Sequence, residues 1–192
     1  MSQRWKGLEN SVAKALSAWL FGGDEKVLRR SPCSGGWKGR GSDGDIITSD
    51  DHRDKEADNP FCIECKCRVG GGEDGWHFEQ LLTAKKHPII EWWSVLSGTT
   101  PVVKNGLLRL LVFSKTSGIA GAFVCIGTKE AKFLSNAGID IKPIPKVIFE
   151  IGRSCDPSYE TDKLRFMTFR DFISGVDAEE VKKAWKGREC QA

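Results

Sequence analysis

In the stretch "FCIECKC", residues 61–67, a glutamate and a lysine fall between apolar residues. Side chains of a strand alternate between its two faces. Cys62, Glu64 and Lys66 therefore point one way, and Phe61, Ile63, Cys65 and Cys67 the other. The second set is apolar and belongs on a core. The first holds a carboxylate and an ammonium about 6–7 Å apart along the strand. Asp45 opens the preceding apolar run, "DIITS", so pairing the two runs as a hairpin brings its carboxylate beside Glu64. Buried charges are costly unless something binds them. Two carboxylates, with water and a phosphate, offer the hard oxygen ligands that suit Mg2+ or Mn2+. Such an ion polarises a phosphodiester and lowers the pKa of a bound water. Lys66 can orient that water or offset the charge of the transition state.

These residues need elements to hold them. Residues 7–21, "GLENSVAKALSAWLF", carry apolar side chains at helical spacing and stop at Gly22-Gly23. "EKVLRRSP", "DIITS" and "FCIECKC" read as three successive strands. The charged run "DDHRDKEADNP" between the last two reads as an exposed loop. A helix is expected over "WHFEQLLTAKK" with Asp74 as its cap, and a second over "PIIEWWSVL" with Pro88 in its first turn. "LLRLLVFS" and "GAFVCIG" are strand-length apolar runs, followed by a helical "TKEAKFLSNAG", strands at "KVIFEI" and "LRFMTF", and a last helix at "DAEEVKKAWKG". Strands grouped between helices predict a mixed α/β sheet with helices on its faces.

Asp45 followed by Glu64-Cys65-Lys66 on the next strand, nineteen residues on, resembles the PD-(D/E)XK nuclease motif. Glu9 on the preceding helix and Gln80 on the following one resemble the Holliday-junction resolvase and related phage and archaeal branches. The resemblance covers about residues 7–114. It implies a restriction-endonuclease-like fold of core helix, three-strand meander, helix and strand. It further implies that Asp45, Glu64 and the Cys65 carbonyl hold Mg2+, with Mn2+ able to substitute. Lys66 would be the catalytic lysine, Glu9 an additional acid near the metal, and Gln80 a supporting polar residue. Gly44, not proline, precedes Asp45, and Asp43 is a second candidate for the aspartate. Glu9 also has a duller reading, as a first-turn acid favoured by the helix dipole.

Function follows as expectation: a divalent-metal-dependent DNA endonuclease, structure-selective and resolvase-like, acting as a homodimer. The competing readings are a sequence-specific restriction-type nuclease and a non-catalytic nucleic-acid-binding module. Residues 1–192 read as a single nuclease domain, with 115–192 a C-terminal elaboration of the core. Net charge is +3, but residues 1–40 hold eight Lys or Arg against three acids. A basic part beside an acidic cluster suits a polyanion handled through a metal. Lys38 and Arg40, beside the aspartate, and Lys85-Lys86, at a helix end, are candidate phosphate contacts. No segment approaches the roughly 18 apolar residues of a membrane span, and the N-terminus is polar, so a cytoplasmic protein of a bacterium or an infected host is expected.

The remaining features have plainer readings. Seven cysteines without a secretory signal predict reduced thiols. Zinc held by Cys62, Cys65 and Cys67, with Cys33 or a histidine as fourth ligand, is the competitor and would stabilise the binding-module reading, but zinc prefers two spaced pairs on turns, and on a strand Cys62 faces away from the others. His52, His77 and His87 form no ligand pattern, and Trp92-Trp93 read as core. The loop "SGGWKGRGSDG" lacks the G-x-x-x-x-G-K-[ST] spacing and leads into a strand, which argues against a P-loop.

Overall fold

The computed structural model describes residues 4–32, 44–67, 77, 80, 81, 87–151 and 162–189. Its centre is a seven-stranded mixed sheet. The strands are Leu28–Arg30 (β1), Ile46–Thr48 (β2), Phe61–Cys67 (β3), Leu108–Ser114 (β4), Phe123–Ile126 (β5), Val147–Ile151 (β6) and Asp162–Thr168 (β7). Their order is β1-β2-β3-β4-β5-β7-β6. The expected meander is there: β1 pairs antiparallel with β2, and β2 with β3. β4 then lies parallel to β3 over all seven residues, while β5, β7 and β6 add on antiparallel. The strands after residue 114 thus continue the same sheet.

The helices are Arg4–Leu20 (α1), Pro88–Ser97 (α2), Thr100–Val103 (α3), Thr128–Asn136 (α4), Phe169–Gly175 (α5) and Ala178–Glu189 (α6). Leu8, Val12, Leu16 and Leu20 recur every four residues and are fully buried, which fixes the inward face of α1. They pack with Phe61, Ile63 and Cys65 of β3 and with Leu108, Leu110 and Val112 of β4. Gly22 and Gly23 end the helix in left-handed backbone, at φ +63° and +95°. The other sheet face carries α2, whose Ile89, Trp93 and Leu96 cover Cys62, Leu111, Phe113 and Phe166. This explains why β4 reads as a continuous apolar run, since both of its faces are covered. It also refines the reading of β3: its Glu64 face is core at Cys62 and polar only at Glu64 and Lys66.

His87 caps α2. Its Nδ1 accepts from the Ile89 N–H at 3.2 Å, and its Nε2 lies 3.1 Å from the His77 carbonyl oxygen. Nε2 must therefore carry the proton, and burial holds the imidazole below its usual pKa despite that bond.

Three sequence expectations change. Residues Asp50–Asp58 form a 3₁₀ segment rather than a plain loop, with none of its residues buried. Ion pairs hold it: Asp50 bonds Arg29 at 2.6 Å and Arg53 at 3.0 Å. α5 follows β7 without a break, its Thr168 cap accepting from the Asp171 N–H. α1 begins at Arg4, with no acid in its first turn, so Glu9 sits one turn deeper than the dipole reading requires. The helix expected over "WHFEQLLTAKK" lies outside the described residues except at His77, Gln80 and Leu81. Among the described residues no helix is long and apolar enough to cross a membrane.

Candidate active site

Asp45 is where the β2 ladder gives way to a side chain. Its backbone N–H donates to the Ile63 carbonyl at 2.8 Å, and its own carbonyl accepts from the Ser31 N–H at 2.8 Å. Its Oδ2 then accepts from the Cys65 N–H at 2.9 Å, where a further ladder residue would otherwise bond. The carboxylate is thereby fixed against β3. The N–H and C=O of one strand residue point to the same edge. The Cys65 carbonyl therefore faces the edge that Asp45 occupies.

Gly44 makes this approach possible. Its φ is +89°, and a Cβ there would lie 2.6 Å from the Ile63 carbonyl oxygen. Proline, fixed near φ −65°, cannot take that backbone at all. The departure from the motif's first letter is thus a requirement of how this chain brings Asp45 to β3. Gly44→Ala is expected to cost about 1–3 kcal/mol of stability from the strained φ and the clash. A urea melt checks this; an unchanged midpoint would mean the Asp45 turn can be rebuilt.

Lys66 lies between the two acids. Its Nζ bonds Glu64 Oε1 and stands 4.0 Å from Asp45 Oδ2. Burial works against the ammonium, but the charges of Glu64 and Asp45 outweigh it and raise its pKa. Asp45 is 8% exposed. Burial first, and then the Glu64 charge, push its carboxyl up to about 7, against Lys66 and the Cys65 amide, which act to lower it. Glu9, 3% exposed on α1, adds its charge to the same carboxyl and is ion-paired with Arg30 Nε through Oε2. The structure thus brings Asp45, Glu64, Cys65 and Lys66 together at the β2–β3 edge, with Glu9 on α1 near enough for its charge to act on Asp45.

A second buried charge cluster shows what is unusual here. Arg109 of β4 bonds Glu130 twice at 2.9 Å and Asp162 at 3.3 Å, and lies 4.2 Å from the Trp93 ring centre. Glu130 also accepts from the Arg109 and Gly127 amides, and Asp162 from the Thr128 amide and the Trp93 indole. All four carboxylate oxygens have protein donors. Burial pushes the Asp162 carboxyl up, but the Thr128 amide and Arg109 outweigh it and hold it low. At the β2–β3 edge, by contrast, Asp45 Oδ1 and Glu64 Oε2 accept no hydrogen bond among the described residues. One cluster is closed. The other presents open oxygens.

Residues 2–183 match the family described as "Phage putative PDDEXK endonuclease". The chain belongs to this family. The match spans the sheet and every helix up to α6, which places the PDDEXK chain among the nucleases. No curated protein matches the sequence, and no solved structure matches it.

The rest of the candidate set is less gathered. Gln80 donates its backbone N–H to the His77 carbonyl at 3.0 Å, and no hydrogen bond joins it to the acids among the described residues. Lys38, Arg40, Lys85, Lys86 and Asp43 lie outside the described residues. Cys62 packs under α2 while Cys65 packs under α1, so these thiols face opposite sides of the sheet. No three His, Cys, Asp or Glu side chains gather as a metal cage among the described residues. The donors at the β2–β3 edge are two carboxylates and a carbonyl. That is a set for a hard cation that keeps several waters, and a poor one for zinc. A groove of about 820 Å3 lies at the other end of β2 and β3, by Thr48 and Phe61. Asp50, Asp54 and Glu56 line it against Arg53 alone, which does not suit a phosphate chain.

Sequence reading missed Arg30 as the partner of Glu9. The two are 21 residues apart, on a helix and a strand, and only a sheet topology that lays β1 beside the helix could have paired them.

Proposed function

We propose that this PDDEXK protein is a divalent-metal-dependent DNA endonuclease that uses Mg2+, with Mn2+ able to substitute. The observation that carries the reading is the open carboxylate pair, Asp45 and Glu64, with Lys66 lodged between them. Asp45, Glu64 and the Cys65 carbonyl would hold the ion. Bound there, it would polarise the phosphodiester and make a bound water more acidic. Lys66, kept as an ammonium by both acids, would orient the attacking water and offset charge on the phosphoryl oxygens. Water adds to phosphorus in line, the P–O3′ bond breaks, and a 5′-phosphate and a 3′-hydroxyl result. Glu9 supplies a further acid at the edge of this set. Gln80 would be a supporting polar residue on the segment after β3.

Within that chemistry we favour a structure-selective, resolvase-like enzyme that acts on branched DNA as a homodimer, since a junction offers two symmetric strands. The test is a cleavage assay with Mg2+ and then Mn2+ on a four-way junction, a flap, a linear duplex and a single strand. Metal-dependent cutting of the junction above the duplex supports this reading. Cutting confined to particular duplex sequences would move it to a restriction-type nuclease. Binding with no cutting under either metal would leave a DNA-binding module.

A further inference from the structure

Glu9 poses a problem that the proposed site leaves unsolved. It is a carboxylate 3% exposed, on a helix whose other buried side chains are apolar except for Ser17. Its charge acts on Asp45 and on Cys65, so it stands close to a pair of acids that already repel each other. A third acid there is tolerated only if something compensates it. Among the described residues one such partner is Arg30, the last residue of β1, whose Nε bonds Glu9 Oε2.

Arg30 is itself fixed to the site's frame. It pairs with Ile46 in the β1–β2 ladder, and the next residue, Ser31, donates its N–H to the Asp45 carbonyl. Its side chain is 24% exposed, so much of it is enclosed. The strand that clamps the Asp45 backbone therefore also carries the cation that holds Glu9. Beside these acids Arg30 supplies a second positive charge in addition to that of Lys66.

We infer that Arg30 is a positioning residue for the metal site, holding the Glu9 carboxylate turned toward Asp45 and Glu64. This rests on the proposed nuclease reading, and Arg30 acts through Glu9 rather than by touching DNA. An arginine suits the task because its planar fork fixes a carboxylate's direction, which a lysine does less well. Loss of such an outer partner typically costs about 10–100-fold in metal affinity or activity.

The test uses the full chain in four forms: Arg30→Gln, Arg30→Lys, Glu9→Gln, and the double variant Glu9→Gln with Arg30→Gln. The readouts are Mn2+ affinity of the DNA-free protein, kcat and KM on the preferred substrate, and Tm. Arg30→Gln is expected to weaken Mn2+ binding and lower kcat by about 10–100-fold with KM little changed, and Arg30→Lys to recover part of it. In the Glu9→Gln background, Arg30→Gln should add nothing further. The double variant replaces a buried ion pair with a neutral pair of similar shape, so it keeps the comparison open if Arg30→Gln alone folds poorly.

Tighter Mn2+ binding in Arg30→Gln would overturn the inference, because removing a nearby positive charge does that when orientation is irrelevant. A raised KM at unchanged kcat, or losses that add fully in the double variant, would overturn it too, by making Arg30 a contact to DNA. Full Mn2+ binding and cutting by Arg30→Gln, with Lys66→Ala inactive, sinks the inference alone. A wild type that neither binds Mn2+ nor cuts sinks the nuclease reading and the inference together.

Discussion

Asp45→Asn is expected to lower metal-dependent cleavage by about 10^3-fold or more, from loss of several kcal/mol of charge stabilisation, in a protein that remains folded. Asparagine keeps the shape and an oxygen to accept the Cys65 N–H, so the junction of β2 and β3 survives. It loses the negative charge that a divalent cation needs. Glu64→Ala and Lys66→Ala should fall to similar depth, since residues acting as one unit are not additive. DNA binding measured without metal should be kept in all three. Cleavage that survives Asp45→Asn and Lys66→Ala would place the chemistry elsewhere. The Arg109 cluster makes the comparison sharper. Glu130 and Asp162 are also enclosed acids beside an enclosed cation, yet their oxygens are all bonded by the protein. Substitutions there should change stability and leave the cleavage rate per folded molecule alone.

The range of each interaction decides how much of this the amino-acid sequence makes legible. The alternation that separates Glu64 and Lys66 from Ile63 and Cys65 is local, and so the shared face of the acid and the lysine could be read from seven residues. The hairpin that carries Asp45 to β3 needed one further assumption, antiparallel pairing of adjacent strands, and that pairing is present at Ile46 and Ile63. The cap at Thr168 and the short α5 behind it were missed because seven residues give too little periodicity to stand out from the end of β7. The 3₁₀ segment was missed for a related reason: it buries nothing and is held by ion pairs, which leave no apolar pattern. Gly44 was legible only as a mismatch to a motif. Its cause is a contact with the Ile63 carbonyl across two strands, and no reading of residues 41–50 alone contains it.

The second large effect is on stability, and it runs against habit for an aspartate. The Asp45 carboxyl rises from 3.8 to about 7 on folding, first through burial and then through Glu64. Between about pH 4 and pH 7 the folded chain therefore holds a proton that the unfolded chain has released. Stability falls as pH rises through this window and levels off above it. At about 1.36 kcal/mol per pH unit, the loss reaches up to about 4 kcal/mol. In EDTA, the urea midpoint of the wild type should drop from pH 5 to pH 8. Asp45→Asn, which has no charge to bury, should be flatter and more stable than wild type at pH 8. His87 works in the opposite sense, since its lowered imidazole pKa removes stability as pH falls below the usual histidine range. It is common to both proteins, so their difference isolates Asp45. Mn2+ should raise the wild-type midpoint at pH 8, because a cation that binds only the folded, ionised pair adds stability by mass action, and should leave Asp45→Asn little changed. A wild type that gains stability between pH 5 and pH 7 relative to Asp45→Asn would show that its carboxylate is already compensated by the protein. The case for a cation at Asp45 and Glu64 would then lose its physical basis.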